Sequence, residues 1–247
     1  MILLIDVGNT TINMALSQNN RILKTAMINT NLNKTADEYY INLNILFELT
    51  KIKDIIISSV VPIVTKELVD LSKKHFKIDP LVIQQKVKTG VNVLTDNPRE
   101  VGADLIAVAA ALVQNNKSYL IIDLGTATKY IYVKNNAITG VIITPGVEVS
   151  IKALVGNTAL LPNIDILVPR KVLGSNTIEC MQSGVTYGTA AQVDGLIDTV
   201  KAEVKEDFEI VTTGGLAKVI NPLIRHEIID NPLLIFEGLL KIYNLNR

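Results

Sequence analysis

The sequence predicts a mixed α/β protein built from two related halves, and three observations predict it. Short β-type apolar runs alternate with helical periodicity along the whole chain, the pattern of layered strands and helices. A strand, a Gly-containing turn and a second strand open the chain, and the same unit restarts after the polar stretch 114–118. One eight-residue pattern occurs at both places: Leu4-Ile5-Asp6-Val7-Gly8-Asn9-Thr10-Thr11 and Ile121-Ile122-Asp123-Leu124-Gly125-Thr126-Ala127-Thr128. The halves are expected to cover 1–115 and 116–247. No low-complexity linker separates them, so close packing is expected.

The elements follow in order. Residues 2–5 read as a buried strand and 12–16 as its partner. From Thr35 the pattern turns helical: Thr35 and Glu38 have capping-box spacing, and Tyr39, Leu43, Leu46 and Phe47 share one face. Residues 55–61 form a strand, and Pro62 stands where a helix begins. Residues 81–83 are a further strand, and the Ala-rich run 102–113 is a helix. In the second half, 119–122, 129–133 and 137–143 read as strands, and 147–155 and 184–204 as helices. A strand at 209–212 leads into Gly214-Gly215, and a helix at 234–243 ends the chain.

Bulk properties exclude several functions. Lys+Arg and Asp+Glu both number 24, so no net charge favours nucleic acid or an anionic membrane. Cys180 is the only cysteine, which excludes an intrachain disulfide and a thiolate metal cluster; it falls in an apolar segment and is expected in the core. His75 and His226 lack metal-ligand spacing. Residues 2–5 are stopped by Asp6 without a basic leader, and no run approaches the roughly 18 apolar residues of a membrane span. A soluble cytoplasmic protein is expected.

The repeated turn carries the chemistry. A single Asp-x-Gly turn has a purely conformational explanation, because Asp and Gly suit tight turns. Two copies, each opening one half, point to internal duplication. Gly lets backbone amides approach phosphate oxygens, Thr and Asn add donors, and the Asp at the strand end can hold a hydrated cation. Neither G-x-x-x-x-G-K-[ST] nor G-x-G-x-x-G occurs.

Paired turns of this kind resemble the acetate kinase/sugar kinase/Hsp70/actin superfamily, and the wording is similar to type III pantothenate kinases. The matching pieces are Asp6-Val7-Gly8-Asn9-Thr10, Ser58-Ser59-Val60-Val61-Pro62, Asn97-Pro98, Glu100-Val101-Gly102-Ala103-Asp104, Asp123 to Thr128, Pro145-Gly146, Thr158-Ala159 with Leu161-Pro162, Asn176-Thr177, Ser183-Gly184 and Thr213-Gly214-Gly215. The resemblance implies two duplicated actin-like (ribonuclease H-like) subdomains with an ATP crevice between them, and ATP-dependent phosphorylation of pantothenate in coenzyme A biosynthesis. It implies Asp104 as the catalytic carboxylate; spacing alone reads Asp104 as a first-turn helix acid favoured by the macrodipole. ATP would be bound by Asp6, Val7, Gly8, Asn9, Thr10, Thr11, Ile12, Asn13, Gly125, Thr126, Gly214 and Gly215, though the last two also suit an ordinary strand-to-helix turn. The substrate side would comprise Thr95, Gly102, Ala103, Asp104, Leu105 and Thr177. Mg²⁺ would lie near Asp6, through water, and a monovalent cation (K⁺ or NH₄⁺) at Asp123. A homodimer would close the pantothenate pocket at its interface.

The chain departs from the family pattern at several positions. Leu105 stands where the family has Arg, Thr95 where it has Tyr, Gly140-Val141 where it has a Gly pair, and Lys129-Tyr130-Ile131 where it has Thr-aromatic-Asp. Arg99 offers a replacement guanidinium. Lys129 would either point to solvent or put its ammonium in place of the monovalent cation. Two other functions fit the same residues: a kinase of the same fold for another hydroxyl substrate, and a non-catalytic nucleotide-binding protein.

Overall fold

A computed structural model describes residues 1–84, 86–113 and 117–247. The expected boundary between 115 and 116 lies outside the described residues. The chain groups into two compact units, Met1–Asn115 with Leu233–Arg247, and Asn116–Pro232. The expectation of a second half running unbroken to residue 247 is therefore corrected at its end. Among the described residues no helix is long and apolar enough to cross a membrane.

The first unit contains β1 (Ile2–Val7), β2 (Thr11–Gln18), β3 (Arg21–Asn29), α1 (Ala36–Leu46), β4 (Asp54–Ser59), α2 (Pro62–Leu71), β5 (Leu81–Val82), β6 (Asn92–Val93) and α3 (Ala103–Leu112). Its sheet runs β3-β2-β1-β4-β5. The first three strands form an antiparallel meander, and β4 and β5 add in parallel. Strand alternation sorts the two faces. Leu3, Ile5 and Val7 pack with Tyr39 and Leu43 of α1 and Val64 and Leu68 of α2. Leu4, Ala15 and Ile56 face the other way, against Ala107 and Ala110 of α3 and Leu239 and Ile242 near the C-terminus. Thr35 caps α1 with the expected reciprocal bonds: its hydroxyl accepts from the Glu38 amide at 3.4 Å, and its amide donates to Glu38 Oε2 at 2.8 Å.

The second unit contains β7 (Tyr119–Leu124), β8 (Ala127–Lys134), β9 (Ala137–Pro145), α4 (Val147–Gly156), α5 (Thr177–Val204), β10 (Glu209–Thr213), α6 (Ala217–Ile220) and β11 (Ile229–Asp230). Its strands run β9-β8-β7-β10-β11, with β7–β8 and β8–β9 antiparallel and β7–β10 and β10–β11 parallel. The connectivity repeats that of the first unit strand for strand, so the duplication read from two turns extends to a whole sheet. Leu120, Ile122 and Leu124 pack with Ile151 of α4 and Val193 and Ile197 of α5, as Leu3, Ile5 and Val7 do in the first unit. The last helix, α7 (Leu234–Asn246), belongs to the first unit.

Cys180 is exposed rather than in the core. It lies in the first turn of α5, which starts at Thr177 rather than at the expected residue 184. The Asn176 side chain accepts from the Glu179 amide at 3.0 Å and starts the helix there.

Candidate active site

β1 ends at the first turn, and the fold fixes what each residue there can do. Asp6 is opposite Asn13 in β2 and beside Ser58 in β4. By alternation it lies on the Leu4 face, the face covered by α3 and α7. Asp6 is nearly buried, 9% exposed. The Gly8 amide donates to the Thr11 carbonyl at 2.9 Å, closing the turn. Thr30, at the end of β3, braces it from outside: its hydroxyl donates to the Gly8 carbonyl at 2.7 Å and its amide to the Thr10 carbonyl at 2.9 Å. Sequence reading missed Thr30, because nothing local marks a residue whose work is done across a hairpin. Val7 and Ile12, both expected at ATP, are buried core residues, so only their backbone can contribute at the turn. Asn9 is exposed at the tip.

The second turn is one residue shorter. Asp123 is offset from Asp6 by 117 (6 to 123), but Lys129 is the register equivalent of Asn13, an offset of 116 (13 to 129). Three residues separate β1 from β2, and two, Gly125 and Thr126, separate β7 from β8. The match of Thr128 with Thr11 is thus corrected: Thr128 occupies the place of Ile12 and is buried. Ala127, not Thr128, opens β8. Thr126 is exposed at the tip.

Two glycines wedge this second turn. Gly146 caps α4, and its amide donates to the Thr126 carbonyl at 3.1 Å. A Cβ at Gly146 would lie 2.3 Å from the Gly125 oxygen and 2.4 Å from the Thr126 oxygen. Gly214 has φ +98, and a Cβ there would lie 2.7 Å from Leu124 backbone atoms. Gly215 has open space around its Cα, so nothing steric requires glycine there. Gly146 was visible in the Pro145-Gly146 piece but not as a site residue. Because all its clashes are with backbone, Gly146→Ala is expected to displace the turn and raise the KM for ATP roughly tenfold, equivalent to about 1.4 kcal/mol. Steady-state kinetics with ATP varied, beside a thermal melt to confirm folding, checks this.

Asp104 sits in the first turn of α3, whose N-cap is Gly102. Its Oδ1 accepts from the Leu105 amide at 2.9 Å. Gly102 leaves room for the carboxylate in its present rotamer: a Cβ there would lie 2.4 Å from Asp104 Oδ1 and 3.4 Å from Val60 Cγ1, so a larger residue would turn the Asp104 side chain. Val60 follows β4 directly, so the start of α3 stands at the sheet end where Ser58 and Asp6 lie. Sequence and structure thus bring Asp6, Ser58, Gly102, Ala103 and Asp104 to one edge of the first unit. Leu105, expected on the substrate side, is buried, 7% exposed, among the core residues. The Thr95 hydroxyl is buried and has no hydrogen-bond partner among the described residues. Arg99 is exposed in a short 3-10 turn. Thr177, in the second unit, is the exposed first residue of α5.

In the second unit, Lys129 Nζ donates to Asp123 Oδ2 at 2.9 Å. Burial pushes the neighbouring Tyr130 phenol up to about 12, so it stays neutral and is no base at working pH. Among the described residues no group of three or more His, Cys, Asp or Glu is arranged to hold a metal.

Two units, each with five of its own strands in the order 3-2-1-4-5 and each opened by an Asp-x-Gly hairpin, define a protein of the acetate kinase/sugar kinase/Hsp70/actin class. The sequence model of type III pantothenate kinases matches residues 2–199. A type III pantothenate kinase of Acholeplasma laidlawii is 52% identical over 246 residues, covering all of this chain and 99% of that protein. One from Bacillus cytotoxicus is 40% identical over 255 residues, covering all of this chain and 97% of that protein. The chain belongs to the type III pantothenate kinase family. Component A of the (R)-2-hydroxyglutaryl-CoA dehydratase of Acidaminococcus fermentans shares the fold, with TM-score 0.55 at 14% identity over 98% of this chain and 96% of that one.

Proposed function

We propose that this chain transfers the γ-phosphoryl group of ATP to the primary hydroxyl of pantothenate, giving 4'-phosphopantothenate and ADP at the start of coenzyme A biosynthesis. The observation that carries the reading is Asp104. It is a carboxylate at the start of α3, at the same sheet end as Asp6, in a chain of this kinase family. Asp104 takes the proton of the attacking hydroxyl while the new P–O bond forms in line with the bond to the β-phosphate that breaks. The backbone amides of Asn9 and Thr10, with the side chains of Asn9, Thr10 and Asn13, hold phosphate oxygens in the first turn, which the Gly8 amide closes. Gly125 and Thr126 do so in the second, and Gly214 and Gly215 meet the nucleoside.

Asp6 suits Mg²⁺ held through water, since that ion keeps several waters and takes one or two carboxylates besides the phosphates. When bound it neutralises charge on the transferring group. Gly102, Ala103 and Thr95 meet pantothenate, with Thr177 added from a second copy of the chain. Apolar side chains are exposed in the segment leading into and opening α5: Leu160 is 91% exposed, Leu173 88% and Ile178 49%. Such a surface is what a homodimer would cover. A cytoplasmic enzyme with no nucleic-acid or membrane partner fits the balanced charge.

Thr95 and Leu105 favour one second reading, a kinase of this fold for another hydroxyl substrate, because no guanidinium or phenol stands at those positions. The test is ADP release by the purified protein with Mg-ATP and a panel of small alcohols. Turnover is expected with pantothenate. Turnover with another alcohol alone would move the substrate assignment, and ATP binding without turnover would reduce the protein to a nucleotide binder.

A further inference from the structure

The family resemblance implies a free monovalent cation at Asp123, and the residues present do not fit one. Asp123 already meets an ammonium group: Lys129 Nζ lies 2.9 Å from its Oδ2, and the two side chains are only 19% and 20% exposed. The pairing is built into the sheet. Lys129 is directly opposite Asp123 in the β7–β8 register, and β8 lies between β7 and β9. Opposite residues of an antiparallel pair project to the same face with Cβ atoms about 5 Å apart. The alternative of a solvent-facing Lys129 is thereby removed.

The neighbouring position offers no replacement ligand. Ile131, two residues along on the same face of β8, is fully buried and carries no oxygen donor. The duplication supplies an internal control. In the first turn the equivalent of Lys129 is Asn13, a neutral side chain opposite Asp6. The strand geometry accepts a neutral residue at this place, so the fold does not itself demand a lysine. A fixed positive charge has been placed in one turn only.

We propose that the Lys129 ammonium is the built-in cation of the second phosphate turn, so that nucleotide binding and turnover need no K⁺ or NH₄⁺. This rests on the reading of both turns as nucleotide-phosphate sites. The charge logic is direct: a carboxylate beside a polyphosphate repels it unless a cation stands between or beside them, and an ammonium supplies the charge of K⁺ at similar size. A tethered ammonium is present at every nucleotide concentration and in every salt. In this role Lys129 is a positioning residue, acting through Asp123 on the turn that follows it.

The test measures equilibrium binding of a fluorescent ADP analogue with Mg²⁺, and steady-state kinase rates, at equal ionic strength in K⁺, Na⁺ and tetramethylammonium chloride. For the unaltered protein, affinity and rate are expected to agree within about twofold across the three salts. Lys129→Gln is expected to weaken nucleotide binding and raise the KM for ATP about tenfold or more, with a smaller change in kcat. K⁺ and NH₄⁺, but not tetramethylammonium, should restore much of that loss. Activation of the unaltered protein tenfold or more by K⁺ over tetramethylammonium would overturn the proposal. So would a Lys129→Gln protein with unchanged affinity, or one weakened without rescue by K⁺, since either places the ammonium in another role. If Lys129→Gln fails to fold, the salt comparison on the unaltered protein still decides. The binding arm stands whether or not pantothenate is the acceptor, so failure of that assignment is distinguishable.

Discussion

Replacing Asp104 with asparagine is expected to lower kcat for phosphoryl transfer by about 10³-fold, within the 10²–10⁴ range of a lost general base. The substitution keeps shape and size, and the remaining amide oxygen can still accept from the Leu105 amide that now meets Oδ1 at 2.9 Å. What disappears is the negative charge and the proton acceptor. Asp104 lies outside both phosphate turns, so the affinity for Mg-ADP should change by no more than about twofold, roughly 0.4 kcal/mol. The contrast with a structural role is sharp. If Asp104 only completes the charge pattern of a helix N-terminus, its loss costs about 0.3–1 kcal/mol of stability and leaves the rate alone. Rapid-mixing or steady-state ADP release, beside a melting curve and a nucleotide titration, separates the two. A variant with full activity and a slightly lower melting temperature would end the catalytic assignment.

The sequence made much of this arrangement legible, and the exceptions have physical reasons. Capping at Thr35, Pro62 at the first position of α2 and the strand-turn-strand starts are local signals, and the structure has all of them. β3 was not anticipated. Its nine residues are all half-exposed or exposed, as an edge strand allows, and its apolar residues fall in two short groups, Ile22-Leu23 and Ala26-Met27-Ile28, split by Lys24-Thr25. A signal did exist nearby. Asn19-Asn20 and Asn135-Asn136 occur at matching places, and all four residues have positive φ, the conformation of a tight hairpin turn. Those paired turns share the 116 offset of β2 and β8 and would have exposed the deletion in the second phosphate turn. The early start of α5 was also readable, from Asn176 and Glu179 at capping spacing. By contrast, nothing in the order of residues says that α7 returns to the first unit. Nor does it say which glycine is spared for a carboxylate and which for a carbonyl. Those are facts of tertiary contact, and the Lys129–Asp123 pair belongs with them: its two residues could be aligned in sequence, but the charge pairing needed the register.

Gly238→Ala is expected to be the most damaging small substitution outside the site. Gly238 lies within α7 where that helix crosses α3. A Cβ there would sit 1.7 Å from the Ala107 carbonyl oxygen and 2.7 Å from its carbon, with the Ala111 amide nitrogen at 3.3 Å. Every atom met is backbone of α3, so no side-chain rotamer can relieve the contact, and the helices must move apart. That movement loosens the shared core in which Ala107 and Ala110 pack with Leu239 and Ile242. Alanine's better helix propensity returns only about 1 kcal/mol. Overpacking usually costs about 1–3 kcal/mol and more when backbone must shift, so a net loss of about 3 kcal/mol is expected. At roughly 2–4 °C per kcal/mol for a chain of this size, the melting temperature should fall by about 6–12 °C. The same displacement reaches the chemistry, because α3 carries Asp104 at its first turn and Gly102 just before it. Activity measured well below the melting temperature should therefore fall as well, through kcat more than through the KM for ATP. Calorimetry and kinetics on Gly238→Ala check both. A melting temperature within about 1 °C of the unaltered protein would mean that the two helices do not approach as closely as the glycine implies.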